Sequence, residues 1–94
     1  MGSLERKSGR IVYMGVDGNI WVSNQAGGAK HQITTDAGAA ENAARIYQTP
    51  IWSPDGSQVA YVGIDTFQGQ PSGRVLTARA DGTGARAIST GTRL

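Results

Sequence analysis

The feature that most constrains the fold is an internal repeat of short β-strand patterns. Residues 10–15 (RIVYMG) align with residues 58–63 (QVAYVG), tyrosine on tyrosine and glycine on glycine, at a shift of 48 residues. Further along, Gly27 aligns with Gly82 at a shift of 55, and the seven additional residues fall within the stretch 64–73 (IDTFQGQPSG). A repeat of roughly 45–50 residues with glycine turns predicts two copies of one small β unit.

The second copy opens with the clearest hairpin pattern in the chain, at residues 50–63 (PIWSPDGSQVAYVG). Ile51 and Trp52 form a short apolar run, and residues 53–56 (SPDG) follow as a turn. Proline presets φ for the first inner position of such a turn, and glycine accepts the positive φ that comes later. Side chains then alternate as far as Gly63. Two such runs on either side of a turn predict an antiparallel hairpin.

The strand patterns predict an all-β chain of two four-stranded antiparallel units. The predicted segments are a tag-like or degenerate first strand at 1–9, a first unit at 10–36, a loop between the units at 37–49, a second unit at 50–90 and a C-terminal tail at 91–94. The innermost strand of the first unit is degenerate, because residues 3–8 (SLERKS) lack the turn pattern; at most a short strand is expected there. The alanine-rich residues 40–46 favour at most one turn of helix.

Composition and charge exclude several classes of function. The 94 residues include no cysteine, so neither a disulfide framework nor a thiolate metal site is expected. Apart from Arg6, Lys7 and Arg10, the basic residues are scattered, so we expect no nucleic-acid surface despite the net charge of +2. No apolar run has the length of a signal segment or a membrane span, so no membrane insertion is expected.

The sequence also lacks the residue patterns of an active site. His31 is the single histidine, and no serine lies in a G-x-S-x-G motif. The carboxylates of Asp17, Asp55 and Asp81 each precede a glycine, where we expect them to bond to the local backbone. We therefore predict no enzyme, no catalytic residue and no cofactor or metal site. A calcium ion held by turn carbonyl oxygens stays open as an alternative.

Residues 52–61 (WSPDGSQVAY) carry the most specific pattern, W-S-P-D-G-x-x-[VIA]-A-[YF], and each copy continues through a glycine turn into a final strand. These residues resemble the repeat of the TolB-like, WD-type β-propellers, over nearly the whole stretch from residue 10 to residue 90. The resemblance implies that each unit is a propeller blade, and that the chain is a scaffold for binding and not a catalyst. It also implies a periplasmic or extracellular location, although the compartment itself stays unknown.

Two blades alone would leave two apolar sheet faces in water, whereas repeat proteins usually need about three units for stability. Identical two-blade chains close only even-numbered rings, and the six blades of a homotrimer agree with the resemblance. We therefore expect a non-enzymatic scaffold or protein-interaction module that assembles with itself into a closed propeller. The alternatives are a fragment of a larger TolB-like or peptidase-associated propeller, and a glycan-binding or small-ligand-binding propeller. A tetramer or an open fibre is also compatible with the sequence.

The two longest predicted loops, residues 36–49 and 64–73, emerge on the same face of such a unit. Extra loop length on one face of a rigid scaffold is typical of a binding surface. Its candidate contact residues for another protein are Arg45, Tyr47 and Phe67. Neutral loop length, which costs little free energy, is the alternative.

The aromatic residues of the strands are expected to pack between blades. Trp21, Trp52, Tyr13 and Tyr61 all lie in alternating strand patterns, and the two tyrosines occupy equivalent positions of the repeat. Equivalent positions suit a repeated structural role better than a platform for sugar stacking.

Overall fold

In the computed structural model the chain forms two antiparallel sheets. The structure describes residues 4–7, 9–24 and 26–93, with side chains within 9–24 and 26–88. The first sheet has the order β1-β2-β3-β4, and the second has the order β5-β6-β7-β8-β9. The strands of the first sheet are β1 (Leu4–Lys7), β2 (Arg10–Met14), β3 (Ile20–Asn24) and β4 (His31–Gln32). Those of the second are β5 (Gly38–Ala40), β6 (Ala43–Trp52), β7 (Gln58–Phe67), β8 (Gln70–Arg79) and β9 (Arg86–Arg93).

The all-β prediction and the four strands of the first sheet are confirmed. So is the short strand before residue 10, because β1 has four residues and pairs with β2. Lys7 lies opposite Arg10, so only two residues join β1 to β2, whereas residues 53–57 join β6 to β7. The part of the predicted tag-like segment at residues 1–3 lies outside the described residues. Within the described part of the chain, no helix is long and apolar enough to cross a membrane.

Two stretches predicted as loops are strands. The predicted loop at 37–49, with its possible helical turn, is wrong, because β5 and the first half of β6 occupy it as a hairpin. The predicted loop at 64–73 is wrong as well, because β7 and β8 stay in register up to Phe67 opposite Gln70. The physical reason is that the two stretches pair with each other as neighbouring strands. Ala43, for example, lies opposite Phe67. Pairing of this kind overrides the helical preference of alanine.

The second sheet therefore has five strands instead of four, and its outermost strand is longer than expected. The predicted tail at 91–94 is wrong for residues 91–93, which continue β9. Thr92 lies opposite Gly73, so the extension of β8 supplies the backbone partners for these residues. Leu94 lies outside the described residues.

A β-bulge divides β6 into two parts. The register shifts between Gln48 and Ile51, and Thr49 has a φ of 57°. Tyr47 and Trp52 are an odd number of residues apart, so an unbroken strand would direct them to opposite faces of the sheet. The inserted residue changes this alternation, and both side chains are buried in the core.

The two sheets share one core because they pack face to face, with β6 against β1, β2 and β3. The first sheet contributes Val12, Ile20, Val22 and Ile33, and the second contributes Tyr47, Trp52, Val59, Tyr61, Leu76 and Ala78. At one end Arg10 of the first sheet lies over the Trp52 ring, with 4.6 Å between Cζ and the ring centroid. Its Nη2 also donates to the carbonyl oxygen of Gly56 at 2.7 Å, which ties the two sheets together.

Each sheet has a second face that points away from this core. On the first sheet we call it the first outer face, formed by Ile11, Tyr13 and Trp21, which are half-buried. On the second sheet we call it the second outer face, formed by Ile51, Ala60, Val62, Ile64 and Val75. Ile51 is 48% exposed and the other four residues are half-buried. Both outer faces are thus apolar at their centres.

Candidate functional site

Arg45, Tyr47 and Phe67 lie on one face of the second sheet, although they come from strands and not from loops. Arg45 and Tyr47 alternate along β6, and Phe67 of β7 lies opposite Ala43. The face is the same one that forms the shared core, continued past the edge of the first sheet. The strand register therefore places the three residues on one face of the sheet, and their role as contacts for another protein stays a prediction.

Arg45 is held by two carboxylates. Its Nη1 donates to Asp36 Oδ2 at 2.7 Å, while Nε and Nη2 donate to the two oxygens of Asp65 at 2.5 and 3.3 Å. These hydrogen bonds, from Asp65 first and then Asp36, raise the pKa of Arg45 above its ordinary value. Burial acts to raise the pKa of Asp36, but hydrogen bonds from Tyr47 and Arg45 outweigh it and lower that pKa below 3.8.

Tyr47 is fixed in the same cluster. The side chain is 4% exposed, and its hydroxyl donates to Asp36 Oδ1 at 2.7 Å. Burial, followed by this hydrogen bond, raises the pKa of Tyr47 to about 12. Its ring meets the Tyr61 ring edge to face, with 5.6 Å between the centroids. Tyr47 and Arg45 thus have their polar groups engaged within the chain, whereas Phe67 is 61% exposed.

A cleft of about 450 Å³ lies beside Phe67, which we call the Phe67 cleft. Ala40 and Ala43 of the β5–β6 hairpin line one part of it, and the Asp36–Arg45–Asp65 cluster lines another. Small apolar side chains next to an exposed aromatic ring offer a surface for an apolar group, with charged residues at its rim.

A second cleft, of about 340 Å³, opens between the two sheets, and we call it the inter-sheet cleft. Its lining includes Thr35 from the connection between the sheets, and Tyr61, Arg74 and Leu76 from the second sheet. Arg74 Nη2 lies 3.7 Å from Asp65 Oδ2, at the margin of the charge cluster.

The sequence did not single out Asp36, Asp65 or Arg74. All three were placed in or beside predicted loops, where no face could be assigned to them. A period-two pattern would have assigned one of them to a face: Asp65, like the candidate residue Phe67, continues the alternation of Tyr61 and Gly63 along β7.

The aspartates of the glycine turns behave as expected. Asp17, Asp55 and Asp81 each accept a hydrogen bond from the backbone N–H two residues later, at 2.9–3.0 Å. For Asp55, this bond from Ser57 and the hydroxyl of Ser53 lower the pKa to about 2. Among the described residues no three histidine or acidic side chains are grouped so that they could hold a metal ion.

The aromatic residues divide between two environments. Trp52 and Tyr61 lie in the core between the two sheets. Tyr13 and Trp21 lie on the first outer face beside a cleft of about 300 Å³, where Trp21 Nε1 donates to Asp17 Oδ1 at 3.1 Å.

Comparison with known proteins adds no assignment, because no family model, no curated protein and no solved structure matches the chain. The resemblance to TolB-like propellers therefore stays a prediction from the sequence.

Proposed function

We propose that the chain is a non-enzymatic scaffold that assembles with itself into a closed β-propeller, in which each sheet is one blade and a trimer gives the ring. The observation that carries the proposal is the relation between the repeat and the two faces of each sheet. The strand register supports it in three steps: equivalent contacts, equivalent turns and equivalent faces.

Equivalent residues of the repeat make equivalent contacts. Gly15 corresponds to Gly63, and Trp21 corresponds to Leu76. A Cβ atom built on Gly15 would lie 2.5 Å from Trp21 Cδ1, and one built on Gly63 would lie 3.2 Å from Leu76 Cδ1. In both sheets, the glycine therefore makes room for a large side chain of the next strand.

The turns that follow are equivalent as well. The N–H of Asn24 donates to the carbonyl of Gly28 at 2.9 Å, and that of Arg79 donates to Thr83 at 2.8 Å. The turn glycines, Gly27 and Gly82, have φ values of 85° and 90°. Two turns with the same hydrogen bond and the same backbone conformation support a structural repeat and not only a repeat of sequence.

The faces of the two sheets then correspond in an alternating way. Tyr61 lies on the face of the second sheet that packs against the first sheet, and its equivalent, Tyr13, lies on the first outer face. Val12 lies on the core face of the first sheet, and its equivalent, Ala60, lies on the second outer face. The first outer face thus corresponds in the repeat to the face of the second sheet that packs in the core. The second outer face corresponds to the face of the first sheet that packs in the core.

A further copy of the chain would bury both outer faces in the way that the two sheets bury each other. Such an interface is head-to-tail, and it closes into a ring when the rotation per copy divides a full turn. With two sheets in each chain, three copies give six blades, in agreement with the family that the sequence resembles.

The test is the mass of the chain in solution, by light scattering coupled to size exclusion. The expected result is a single species at three times the chain mass of 9.8 kDa. Ile51→Arg would place a charge on the second outer face and should lower this mass. Phe67→Arg is the matched control, since Phe67 is exposed but lies on neither outer face. A wild type that stays at 9.8 kDa at high concentration would refute self-assembly, and a polydisperse sample would favour a fragment of a larger propeller.

The cleft on the first outer face favours a second candidate, a glycan-binding or small-ligand-binding propeller. Tyr13 and Trp21 line it together with Asp17 and Lys30, so that aromatic rings and polar groups lie side by side. Quenching of Trp21 fluorescence across a glycan panel tests this function. Because Trp52 also fluoresces, Trp21→Phe is the control that assigns the signal.

A further inference from the structure

We propose that the inter-sheet cleft binds a carboxylate ligand through Arg74 and Tyr61. The cleft lies within a single chain, so this inference goes beyond self-assembly and does not rest on it. The proposal rests on two donors that line the cleft, on its apolar wall and on its balance of charge.

Arg74 is a cation with one donor that no acceptor among the described residues engages. Its Nε is buried and has no hydrogen-bond partner within the described chain. The carboxylate of Asp65 is 3.7 Å from Nη2, which is longer than a hydrogen bond, and both oxygens of Asp65 are already bound by Arg45. A buried donor without an acceptor is unfavourable, so a small shift of the side chain that brings Nε to an incoming acceptor is favoured.

The side chain of Arg74 remains reachable from the cleft. It is 27% exposed while its Nε is not, so the exposure belongs to other atoms of the side chain. A guanidinium presents its donors in a planar fork, and the geometry of that fork matches the two oxygens of a carboxylate.

Tyr61 supplies a second donor beside Arg74. It lines the same cleft, and its ring is held in place by the edge-to-face contact with Tyr47. Its hydroxyl is protonated at neutral pH, because the ordinary pKa of a tyrosine is about 10 and burial raises that of Tyr61 further. A guanidinium and a phenol that line one cleft are complementary to a group that only accepts hydrogen bonds.

The surrounding charges disfavour a second negative charge on the ligand. The positive charges of Arg45 and Arg74 are balanced by Asp36 and Asp65, so the cluster carries no excess charge to hold a dianion. A phosphate dianion would be repelled by both aspartates, and a carboxylate less so. Ile33 and Leu76 provide an apolar wall for the body of the ligand. The cleft is at the small end of ligand sites, which span roughly 300–1,000 Å³.

The ligand chemistry is therefore a carboxylate on a small apolar body. It can come from a free carboxylic acid or from the C-terminus of a peptide that ends in an apolar residue. Nuclear magnetic resonance titrations of the full chain distinguish these sources. The probes are benzoate, inorganic phosphate, and a short peptide ending in phenylalanine, prepared both as the free acid and as the C-terminal amide.

We expect benzoate to shift the Arg74 Nε–H resonance in a saturable way. Phosphate should bind at least about tenfold more weakly, because both aspartates repel its second charge and it has no apolar body to place against Ile33 and Leu76. A free-acid peptide that binds more tightly than benzoate, while its amide does not bind, assigns the site to a peptide C-terminus. Benzoate that binds more tightly than the free-acid peptide assigns it to a small acid. Absence of a saturable shift at Arg74 with both benzoate and the free-acid peptide overturns the proposal.

Variants of the chain distinguish binding of benzoate in the cleft from a general effect of positive charge on anion binding. Arg74→Gln should weaken benzoate binding at least about tenfold through loss of the charged donor. Arg79→Gln removes an exposed arginine of the same strand, outside the cleft, and should leave binding unchanged. Tyr61→Phe removes one oxygen from a side chain whose packing is retained, and should weaken binding several-fold. Equal binding by the wild type, Arg74→Gln and Tyr61→Phe would refute the assignment.

Discussion

The hydroxyl of Tyr47 on β6 donates a 2.7 Å hydrogen bond to Asp36, which lies in the connection between the two sheets. Asp36 also accepts a hydrogen bond from Arg45, and Arg45 in turn donates to Asp65 of the neighbouring strand β7. One carboxylate in the connection is therefore bound to the second sheet through both a neutral and a charged donor.

This contact predicts a loss of stability in alkaline solution. The pKa of Tyr47 is raised from 10.0 to about 12, so the folded chain holds this proton more tightly than the unfolded chain. The resulting stabilisation is complete below pH 10 and disappears as the pH rises through 12. Urea denaturation at a series of pH values should show the free energy of unfolding falling across this window. Tyr47→Phe should flatten most of that fall, leaving the part due to Tyr61; an equally steep fall in the variant would contradict the prediction.

The other partner predicts an effect in acid. Because the pKa of Asp36 is lowered below 3.8, its contribution to stability is present above that pH and is lost as the carboxylate becomes protonated. Asp36→Asn should reduce the free energy of unfolding at pH 7 by about 1 kcal/mol, a modest figure because the carboxylate is half exposed. The difference from the wild type should shrink as the pH falls below 3.8. Glu41→Gln, an exposed substitution, is the control, and a pH-independent difference would be inconsistent with this cause.

A side chain at Gly63 is predicted to be destabilising. A Cβ atom there would lie 3.1 Å from Tyr47 Cε1 and 3.2 Å from Leu76 Cδ1, both in the core. Gly63→Ala should therefore lower the free energy of unfolding by about 1–3 kcal/mol. Gly38→Ala is the matched control, because that position has an ordinary φ and no neighbour within 4 Å. Chemical denaturation of both variants checks the prediction, which fails if they are equally stable.

Trp52 is predicted to be the most costly aromatic residue to remove. It is buried between the sheets and lies under the Arg10 guanidinium. Trp52→Ala should lower stability by about 3–5 kcal/mol. Phe67→Ala removes an exposed ring and should change stability by less than about 0.5 kcal/mol. Thermal unfolding that gives both variants the same midpoint would show that Trp52 is not a core residue.

A substitution in the turn between β7 and β8 is predicted to raise the stability of the chain. Gln68 and Gly69 have φ values of 51° and 78°, the conformation of a turn in which asparagine followed by glycine is preferred. Gln68→Asn should stabilise the chain by about 0.5 kcal/mol. Gln70→Asn makes the same chemical change next to the turn at a strand position and should give no gain. A rise in the unfolding midpoint for Gln68→Asn alone would confirm the effect of the turn.

Local patterns were sufficient for the parts of the fold that depend on neighbouring residues. The turns at Gly27 and Gly82, the hairpin whose turn follows Trp52 and the short strand before Arg10 all follow from residues close together in the chain. The same holds for the burial of Trp52 and Tyr61, because their alternation with small residues marks one face of a strand.

The parts that the sequence did not reveal depend on pairing between distant residues. Ala43 and Ala44 carry no strand preference of their own, and they become part of β6 because Phe67 and Thr66 lie opposite them. The charge cluster depends in the same way on β6 and β7 being in register, which brings Arg45 opposite Asp65. Neither strand extension shows enough local preference to be predicted without the other.

The bulge in β6 offsets the alternation of side chains along that strand by one residue. Only this offset directs Tyr47, before Thr49, and Trp52, after it, to the same face, so that both are buried in one core. Removal of Thr49 would restore an unbroken alternation and turn Arg45 and Tyr47 away from Asp36. Insertions at the Gln68–Gly69 turn leave the alternation on both sides of the bulge intact, so this hairpin tolerates a change in length whereas the bulge does not.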